Sequence, residues 1–447
     1  MMNLAVIGTG YVGLVSGVCL ASKGHKVTCF DINEINIGKL DQGICHIYED
    51  GLEDLLASSK KNINFRLLTD KNEKKLLDFD AIIVAVGTPT INGNSDLSQI
   101  KSVAHMMGRL IKSSQKYISI IIKSTVLPGT TDTFFKNIVE AESGKRVGEF
   151  GLGMNPEFLR EGNAIEDFQY PDRIVFGFED KKTLEILRLI YEPWDCEKIE
   201  VNTRSAEMLK YVNNALLATL ISTINEYSNI ARSIENIDFK KVMRGVHLDN
   251  RWSPIDDCGQ KVFPKVIDYL KPGCGYGGSC FPKDVLAISA LAKEIGSSSN
   301  ILSAVIEVNN RQPEVMMEIL NKASDDIKNK RVLMLGLAFK PDTDDVRESV
   351  SLKLLKLLSG KVDNLVAHDP IAIDNAILEL GQLDDVHFST EWKNKIEDSD
   401  IIIICTNWNE YSELAAMKDL LKGKIVFDTR SLLSGIDVSD FQYLTVN

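Results

Sequence analysis

Positive charge is in short supply in this chain: 51 lysines and arginines face 63 aspartates and glutamates over 447 residues, a formal net charge of -12. That balance builds no basic field for a phosphate backbone, so nucleic acid is not an expected partner, although a few local cations and backbone amides can still hold a nucleotide-sized ligand. Cysteine pairing is missing too. The eight cysteines stand at 19, 29, 45, 196, 258, 274, 280 and 405, with no C-x-x-C and no histidine at zinc spacing, which excludes the usual disulfide and zinc frameworks and leads us to expect reduced thiols, a cytoplasmic protein and no metal. No run of 18 apolar residues occurs, and the opening "MMNLAVIGTGYVG" has no basic leader and is broken by glycines, so neither membrane insertion nor export is expected. Low-complexity tracts are absent as well. A globular composition, 44% hydrophobic and 26% charged, at this length implies two or three domains, each with its own core.

What is present begins with "LAVIGTGYVGLVSGVCLASKGHKVTCFD", a strand-like run from Leu4 to Ile7, the pattern Gly8-x-Gly10-x-x-Gly13, a helical stretch and a second strand ending in Asp31. The strand before, the helix after and the acid 18 residues beyond the last glycine turn a weak glycine pattern into a dinucleotide fingerprint. Gly8 permits the tight turn, Gly10 lets backbone approach a pyrophosphate and Gly13 allows close helix packing, with Tyr11 and Val12 in the same cofactor turn. Asp31 suits the adenosine ribose hydroxyls and repels a 2′-phosphate; no arginine follows it at once, so NAD is favoured over NADP.

Further apolar runs at 81–90, 118–131, 150–158 and 173–178 alternate with helical segments and predict a parallel, doubly wound sheet. Ligands on such sheets bind beyond the carboxyl ends of strands, where Thr88, Thr125 and Glu157 fall. Taken singly, each is explained slightly better by loop chemistry.

The segment 202–234 reads as one helix of about thirty residues without internal Gly or Pro, against a typical length of about twelve. A helix of that length joins domains or packs on another chain, which makes a homodimer or higher homo-oligomer the expected assembly. Lys210 and Asn214 share one face, with Glu207 a turn earlier. Next comes "PGCGYGGSCFPKD". A lone cysteine is usually a buried small hydrophobe, but four glycines precede Cys280, and Gly277-Gly278-Ser279 argues for exposed backbone with Lys283 and Asp284 within a turn of the sulfur. Cys274, with fewer polar neighbours, reads as packing.

The third segment echoes the first. "NKRVLMLGLAFKPDTDD" again runs a strand into a glycine, Gly336, and "NLVAHDP" ends on Asp369 much as the earlier strand ends on Asp31. Without the three-glycine fingerprint a second dinucleotide is not expected; Lys340, Arg347 and Arg430 suit a different phosphate-bearing ligand. The fold class expected is α/β, with two Rossmann-like doubly wound domains joined by a central long-helix dimerisation region.

In order, "AVIGTGYVGLVSGVCLASKGHKV", "KSTVLPGT", "NPEFLREG", "SAEMLKYVNNALLA", "GYGGSCFPKD" and "LGLAFKPDTDDVRES" resemble the UDP-glucose/GDP-mannose dehydrogenase family over nearly the whole chain. The resemblance implies an NAD-binding domain over 1–200, a central helical dimerisation region with the cysteine loop over 201–312 and a UDP-binding Rossmann-like domain over 313–447. It implies oxidation of a UDP-sugar, UDP-glucose first among them, at C6 to the carboxylate, with two NAD used in turn and the product serving as polysaccharide precursor. Cys280 would be the nucleophile, forming a thiohemiacetal and then a thioester. Lys210 and Asn214 would stabilise the oxyanion, and Asp284 with Thr125 and Glu157 would position water.

By the same likeness Thr88, Thr125, Glu161, Lys283 and Arg347 join the cofactor set. Glu157, Phe158, Leu159, Glu161, Lys210 and Asn214 would contact the sugar, and the loop 271–277, with Tyr276 and Gly277, would wrap the UDP-sugar. Tyr269 would lie near the base, with Lys340 and Arg430 meeting the substrate from the last domain. The family arginine that reaches the partner subunit's substrate lies nearer the cysteine, where this chain has Pro264. Arg251, 29 residues before Cys280, takes its place if "SPIDDCGQKVFPK" is an insertion.

Three rivals stand beside this reading. One is the same chemistry on a UDP-N-acetylhexosamine or GDP-mannose; another is a two-electron 3-hydroxyacid-type dehydrogenase that needs no cysteine; the third is a non-catalytic NAD-binding sensor.

Overall fold

A computed structural model describes residues 1–91, 93–324, 326–381, 383–435 and 439–446. The chain divides into two compact units, Met1–Asn213 and Asn214–Asn447, so the segment after Asn213 groups with the C-terminal sheet.

The first unit is built on β1 (Asn3–Ile7), β2 (Lys26–Asp31), β3 (Ile63–Leu67), β4 (Ala81–Val84), the small hairpin β5 (Thr90–Ile91) and β6 (Asn94–Ser95), then β7 (Ser119–Ile122), β8 (Gly151–Met154), β9 (Arg173–Phe178) and β10 (Glu197–Val201). Its helices are α1 (Tyr11–Ser22), α2 (Glu34–Asp41), α3 (Leu52–Ser59), α4 (Ser98–Ser113), α5 (Lys136–Ser143), α6 (Ala164–Gln169) and α7 (Lys181–Ile190). The sheet order β10-β9-β8-β7-β4-β1-β2-β3 contains the doubly wound order, with the switch point between β1 and β4. Strands β1, β4, β7 and β8 are buried almost throughout, which is why they read as unbroken apolar runs rather than as alternation. β9 departs from the parallel pattern expected for 173–178: it pairs antiparallel with β8. The connection leaving β8 stays at the carboxyl edge, held there by Asn155 Nδ2 donating to Val175 O at 2.9 Å, so the next strand runs back the other way. That detour places residues 155–162 at the edge where ligands bind.

Helix α8 (Thr203–Arg232) matches the long helix expected over 202–234. The second unit adds α9 (Phe239–His247), α10 (Phe281–Glu294), α11 (Asn300–Ala323), α12 (Val350–Leu358) and α13 (Ile373–Leu380). Its strands are β11 (Arg331–Leu335), β12 (Asn364–His368), β13 (Val386–Phe388), β14 (Ile401–Ile404), β15 (Ile425–Asp428) and β16 (Gln442–Thr445). They form a wholly parallel sheet in the order β13-β12-β11-β14-β15-β16, the echo anticipated from the sequence. Pro313 lies inside α11, which runs through it. Among the described residues, no helix is long and apolar enough to cross a membrane, and no group of three or more His, Cys, Asp or Glu is arranged to hold a metal. All eight cysteines are free thiols.

Candidate active site

In the first unit the glycine turn closes as steric reasoning demands. Gly8 has φ +99°, and a Cβ there would lie 2.5 Å from Ala85 O; a Cβ on Gly13 would lie 2.0 Å from Gly8 O. Gly10 differs: a Cβ there meets nothing within 4 Å. Its openness is therefore not required by packing, and the turn at the N-terminus of α1 fits a pyrophosphate that needs backbone at close range. Asp31 Oδ2 accepts from Thr9 N at 2.6 Å and Thr9 Oγ1 at 2.7 Å, while Oδ1 accepts from Asn33 N at 2.9 Å, so the carboxylate shapes the turn that it borders. Val12, in the first turn of α1, packs against the core. Thr88 is buried and donates to Thr125 O at 2.8 Å, tying the end of β4 to that of β7.

Tyr11 leads to a residue that the sequence did not single out. Its hydroxyl donates to Glu49, which also accepts from Gly162 N at 2.7 Å and Ala164 N at 2.6 Å. One buried carboxylate thus ties the cofactor turn to the 157–162 loop. Burial, then the hydrogen bond to Glu49, pushes the Tyr11 phenol far above its ordinary range.

Glu157 is the polar centre of that loop. Its Oε1 accepts from Lys210 Nζ at 2.8 Å and its Oε2 from Leu159 N at 2.6 Å. Burial works to raise this carboxyl, but Lys210, through charge and hydrogen bond, and Lys123 together hold it below its ordinary value. Phe158 lies under the Arg173 guanidinium at 4.1 Å and the Lys210 ammonium at 5.5 Å. Glu161 is partly exposed on the same loop. Glu207 does not pair with Lys210; it is fully buried and accepts from Gly129 N at 2.7 Å and Thr131 N at 2.8 Å.

In the second unit, Cys280 caps the N-terminus of α10 with Pro282 in the first turn. Ser279 Oγ is 3.5 Å from its sulfur, and Asp284 N donates to Cys280 O at 2.9 Å. Asp284 is wholly buried, with Oδ2 accepting from Asn214 at 2.7 Å and Oδ1 from Lys283 at 2.8 Å. The glycines of the loop require a correction. Of Gly277, Gly278 and Ser279, expected to expose backbone, Gly278 is buried and the other two are partly exposed, and Gly275 before them is buried as well. A Cβ on Gly275 would lie 2.6 Å from Asn309 Oδ1, one on Gly277 would lie 2.5 Å from Glu348 O, and one on Gly278 would lie 2.7 Å from the Phe339 ring. Asn309 also bonds both Tyr276 N and Tyr276 O, so the loop is pinned by close backbone packing. Tyr276 and Tyr269 both pack beside Phe281.

Arg430 donates to Cys405 O at 2.8 Å and Phe339 O at 3.3 Å, beyond the carboxyl end of β15, and Lys340 lies over the Phe339 ring at 5.6 Å. Arg347 is forked onto Asp345 at 2.8 Å through both Nε and Nη2. Arg251 sits on an exposed loop, paired with Asp249.

Comparison with known proteins matches three family models: the NAD-binding domain of the UDP-glucose/GDP-mannose dehydrogenase family over residues 2–195, its central domain over 204–311 and its UDP-binding domain over 333–435. The chain is 40% identical over 439 residues to UDP-glucose 6-dehydrogenase TuaD of Bacillus subtilis, covering 97% of this chain and 90% of that protein. It is 35% identical over 450 residues to UDP-glucose 6-dehydrogenase AglM of Haloferax volcanii, covering 99% and 100%. Among solved structures, a UDP-glucose dehydrogenase from Pyrobaculum islandicum superposes with a TM-score of 0.88 at 35% identity, covering 100% of this chain and 98% of that one.

Proposed function

Because this chain belongs to the UDP-glucose/GDP-mannose dehydrogenase family and is an NAD-dependent nucleotide-sugar dehydrogenase, we propose that it oxidises C6 of UDP-glucose to the carboxylate through a covalent intermediate on Cys280. The observation that carries the substrate is likeness along nearly the whole chain to proteins named UDP-glucose 6-dehydrogenase at 35–40% identity. The covalent route is supported by a partly exposed thiol at a helix N-terminus, where the macrodipole favours the thiolate.

NAD, when bound, accepts the hydrides. Its pyrophosphate is assigned to the Gly8–Gly10–Gly13 turn with Tyr11 and Val12, its ribose to Asp31, and its remaining contacts to Thr88, Thr125, Glu161, Lys283 and Arg347. In the first oxidation the C6 hydroxyl gives up its proton to water ordered by Thr125, Glu157 and Asp284, and C6 gives up a hydride, leaving an aldehyde. Cys280 Sγ then adds to the carbonyl carbon, and the oxygen takes a proton, giving a thiohemiacetal. Loss of that proton and a second hydride yields a thioester. Water attacks it, the C–S bond breaks, and the thiol and a carboxylate are released. Lys210 neutralises the alkoxide that develops at each stage, and Asn214 hydrogen-bonds near the same oxygen. Phe158, Leu159, Tyr276 and Gly277 shape the sugar site, Tyr269 the base site, and Lys340 and Arg430 the diphosphate contacts, while Arg251 reaches the substrate held by the partner subunit.

Assembly as a homodimer follows from the same reading, supported by exposed Met208, Val212, Leu216, Tyr227 and Ile230 along α8. Sedimentation of a monomer at micromolar concentration would overturn it.

The deciding experiment counts NADH per sugar at limiting UDP-glucose and excess NAD, beside UDP-N-acetylglucosamine, UDP-N-acetylmannosamine and GDP-mannose. Two per UDP-glucose is expected. Two from another sugar corrects the substrate, one per sugar overturns the thioester route in favour of two-electron chemistry, and NAD binding without turnover on any sugar makes the chain a sensor.

A further inference from the structure

Lys123 is the buried cation that the mechanism above leaves unused. It follows β7 directly and is 3% exposed. Its Nζ donates to Asn155 Oδ1 at 2.8 Å and lies 3.5 Å from Asn155 O and 3.4 Å from the Tyr191 hydroxyl. The ring faces of Phe168 and Tyr191 stand at 5.6 and 5.9 Å. Asn155 is itself fixed, accepting from Tyr191 and donating to Val175 O. A cavity of about 50 Å³, lined by Lys123, Asn155, Glu157, Asp167, Arg173 and Tyr191 among others, adjoins the nitrogen and has room for water.

Burying an ammonium costs several kcal/mol when no carboxylate contacts it. Hydrogen bonds to a neutral amide and a phenol offset only part of that, yet the chain keeps a lysine here. The nearby charges explain its use. Glu157, two residues beyond Asn155, lowers the cost of the Lys123 charge, and Lys123 in turn favours ionised Glu157. Lys210, the direct partner of Glu157, opposes the Lys123 charge. In the proposed reaction Lys210 must turn its charge toward a developing alkoxide, which withdraws compensation from Glu157 when its ionised form is needed to hold water.

The geometry points to Lys123 as a positioning residue that keeps Glu157 a carboxylate, and Asn155 and its backbone in register, while Lys210 serves the substrate. This assignment rests on the proposed function, and it gives Glu157 two cations with different duties.

The groups that face Lys123 set the pH behaviour. Burial lowers its ammonium to about 8, with Glu157 opposing and Lys210 adding to the shift. Cys19 on α1 is pushed up to about 12 by burial, and the Tyr191 phenol after α7 is raised by burial as well, so both stay neutral. Asp167 from α6 and Arg173 from β9 line the adjoining cavity. Lys123 is therefore the group among them poised to lose charge just above neutrality.

The test is the pH profile of kcat for UDP-glucose, which reports the enzyme–substrate complex in which Lys210 serves the substrate, in the wild type, Lys123→Met, Lys123→Gln and Lys123→Arg, with circular dichroism to confirm folding. Either neutral variant should move the acid limb upward by a fraction of a pH unit as Glu157 protonates more readily. Lys123→Arg, which does not titrate, should restore the acid limb and carry the alkaline limb above that of the wild type. A folded neutral variant whose acid limb coincides with the wild type overturns the inference. If neither neutral variant folds, coincident alkaline limbs for Lys123→Arg and the wild type overturn it instead. Absence of UDP-glucose turnover in the wild type would strike the parent reading, whereas turnover with unmoved limbs strikes this one alone.

Discussion

Lys210 Nζ lies 2.8 Å from Glu157 Oε1, with the two side chains only 4% and 5% exposed. A buried ion pair adds little net stability because both charges lose their hydration, but removing one partner strands the other. The pair is consequently far more expensive to break than to have made. Lys210→Met should lower stability by about 3–5 kcal/mol and turnover by a factor on the order of 10²–10³. The double variant Lys210→Met/Glu157→Gln should recover much of the stability and none of the turnover. Urea unfolding of the four members of the cycle, beside initial rates, separates the two effects; additive stability losses would show that the charges are not coupled.

Cys280→Ser should retain NAD and UDP-glucose binding while abolishing net formation of the carboxylate, since a hydroxyl without an activated proton acceptor is a far poorer nucleophile than a thiolate. Calorimetric titration and NADH counting check this. A variant that still yields two NADH per sugar would remove the thiol from the mechanism.

The three fingerprint glycines should separate by function. Gly13→Ala drives a Cβ to 2.0 Å from Gly8 O, a clash with backbone that should cost several kcal/mol or prevent folding. Gly10→Ala meets open space, so its melting temperature should stay within a degree or two of the wild type while NAD affinity falls by about tenfold or more, as the methyl occupies room meant for the pyrophosphate. Equal melting temperatures for the two variants would contradict the packing assigned to Gly13.

Glu207 gives a pH dependence of known sign. Burial raises its carboxyl from 4.5 to about 7, against the pull of the hydrogen bonds from Thr131 and Gly129. Between those values the folded chain holds a proton that the unfolded chain has lost. Its stabilising contribution is therefore complete below about pH 4.5 and is lost as pH rises through 7. Glu207→Gln should be at a larger disadvantage to the wild type at pH 5 than at pH 8, a trend that thermal unfolding across this range would reveal. Glu207→Ala, which orphans the buried Thr131 amide and the partly buried Gly129 amide, should cost about 2–4 kcal/mol. A pH-independent difference between Gln and wild type would place the Glu207 titration elsewhere.

Local signals in the sequence carried much of this. The Gly8–Gly13 turn, Asp31 and the helix now seen at Thr203–Arg232 are written in neighbouring residues, and the second sheet repeats the strand spacing of the first. Contacts made over long separations left no such mark. Glu49 meets Gly162 across 113 positions and Gly129 meets Glu207 across 78, and no periodicity records either. Lys123 did leave a trace, an ionisable residue at the end of the apolar run "ISIII", which in a strand buried on both faces asks for a partner. The glycines around Cys280 were visible, but composition does not distinguish room for a ligand from room for Asn309, Glu348 and Phe339. The reversal of β9 depended on how the 155–172 connection is anchored, again a tertiary fact.

Each sheet also has a history in time. Among the strands of its sheet, β1 comes first in the chain, and both of its neighbours, β2 and β4, are complete by Val84; β11 likewise precedes β12 and β14, which flank it. A ribosome would therefore deliver an interior strand before the two that flank it, and assembly can proceed outward from that strand as synthesis continues. Stalled nascent chains ending just after α5 should already resist proteolysis around Val6 and Ile83, although β8, β9 and β10 do not yet exist; cleavage there as rapid as in an unfolded chain would mean that the sheet waits for its far edge.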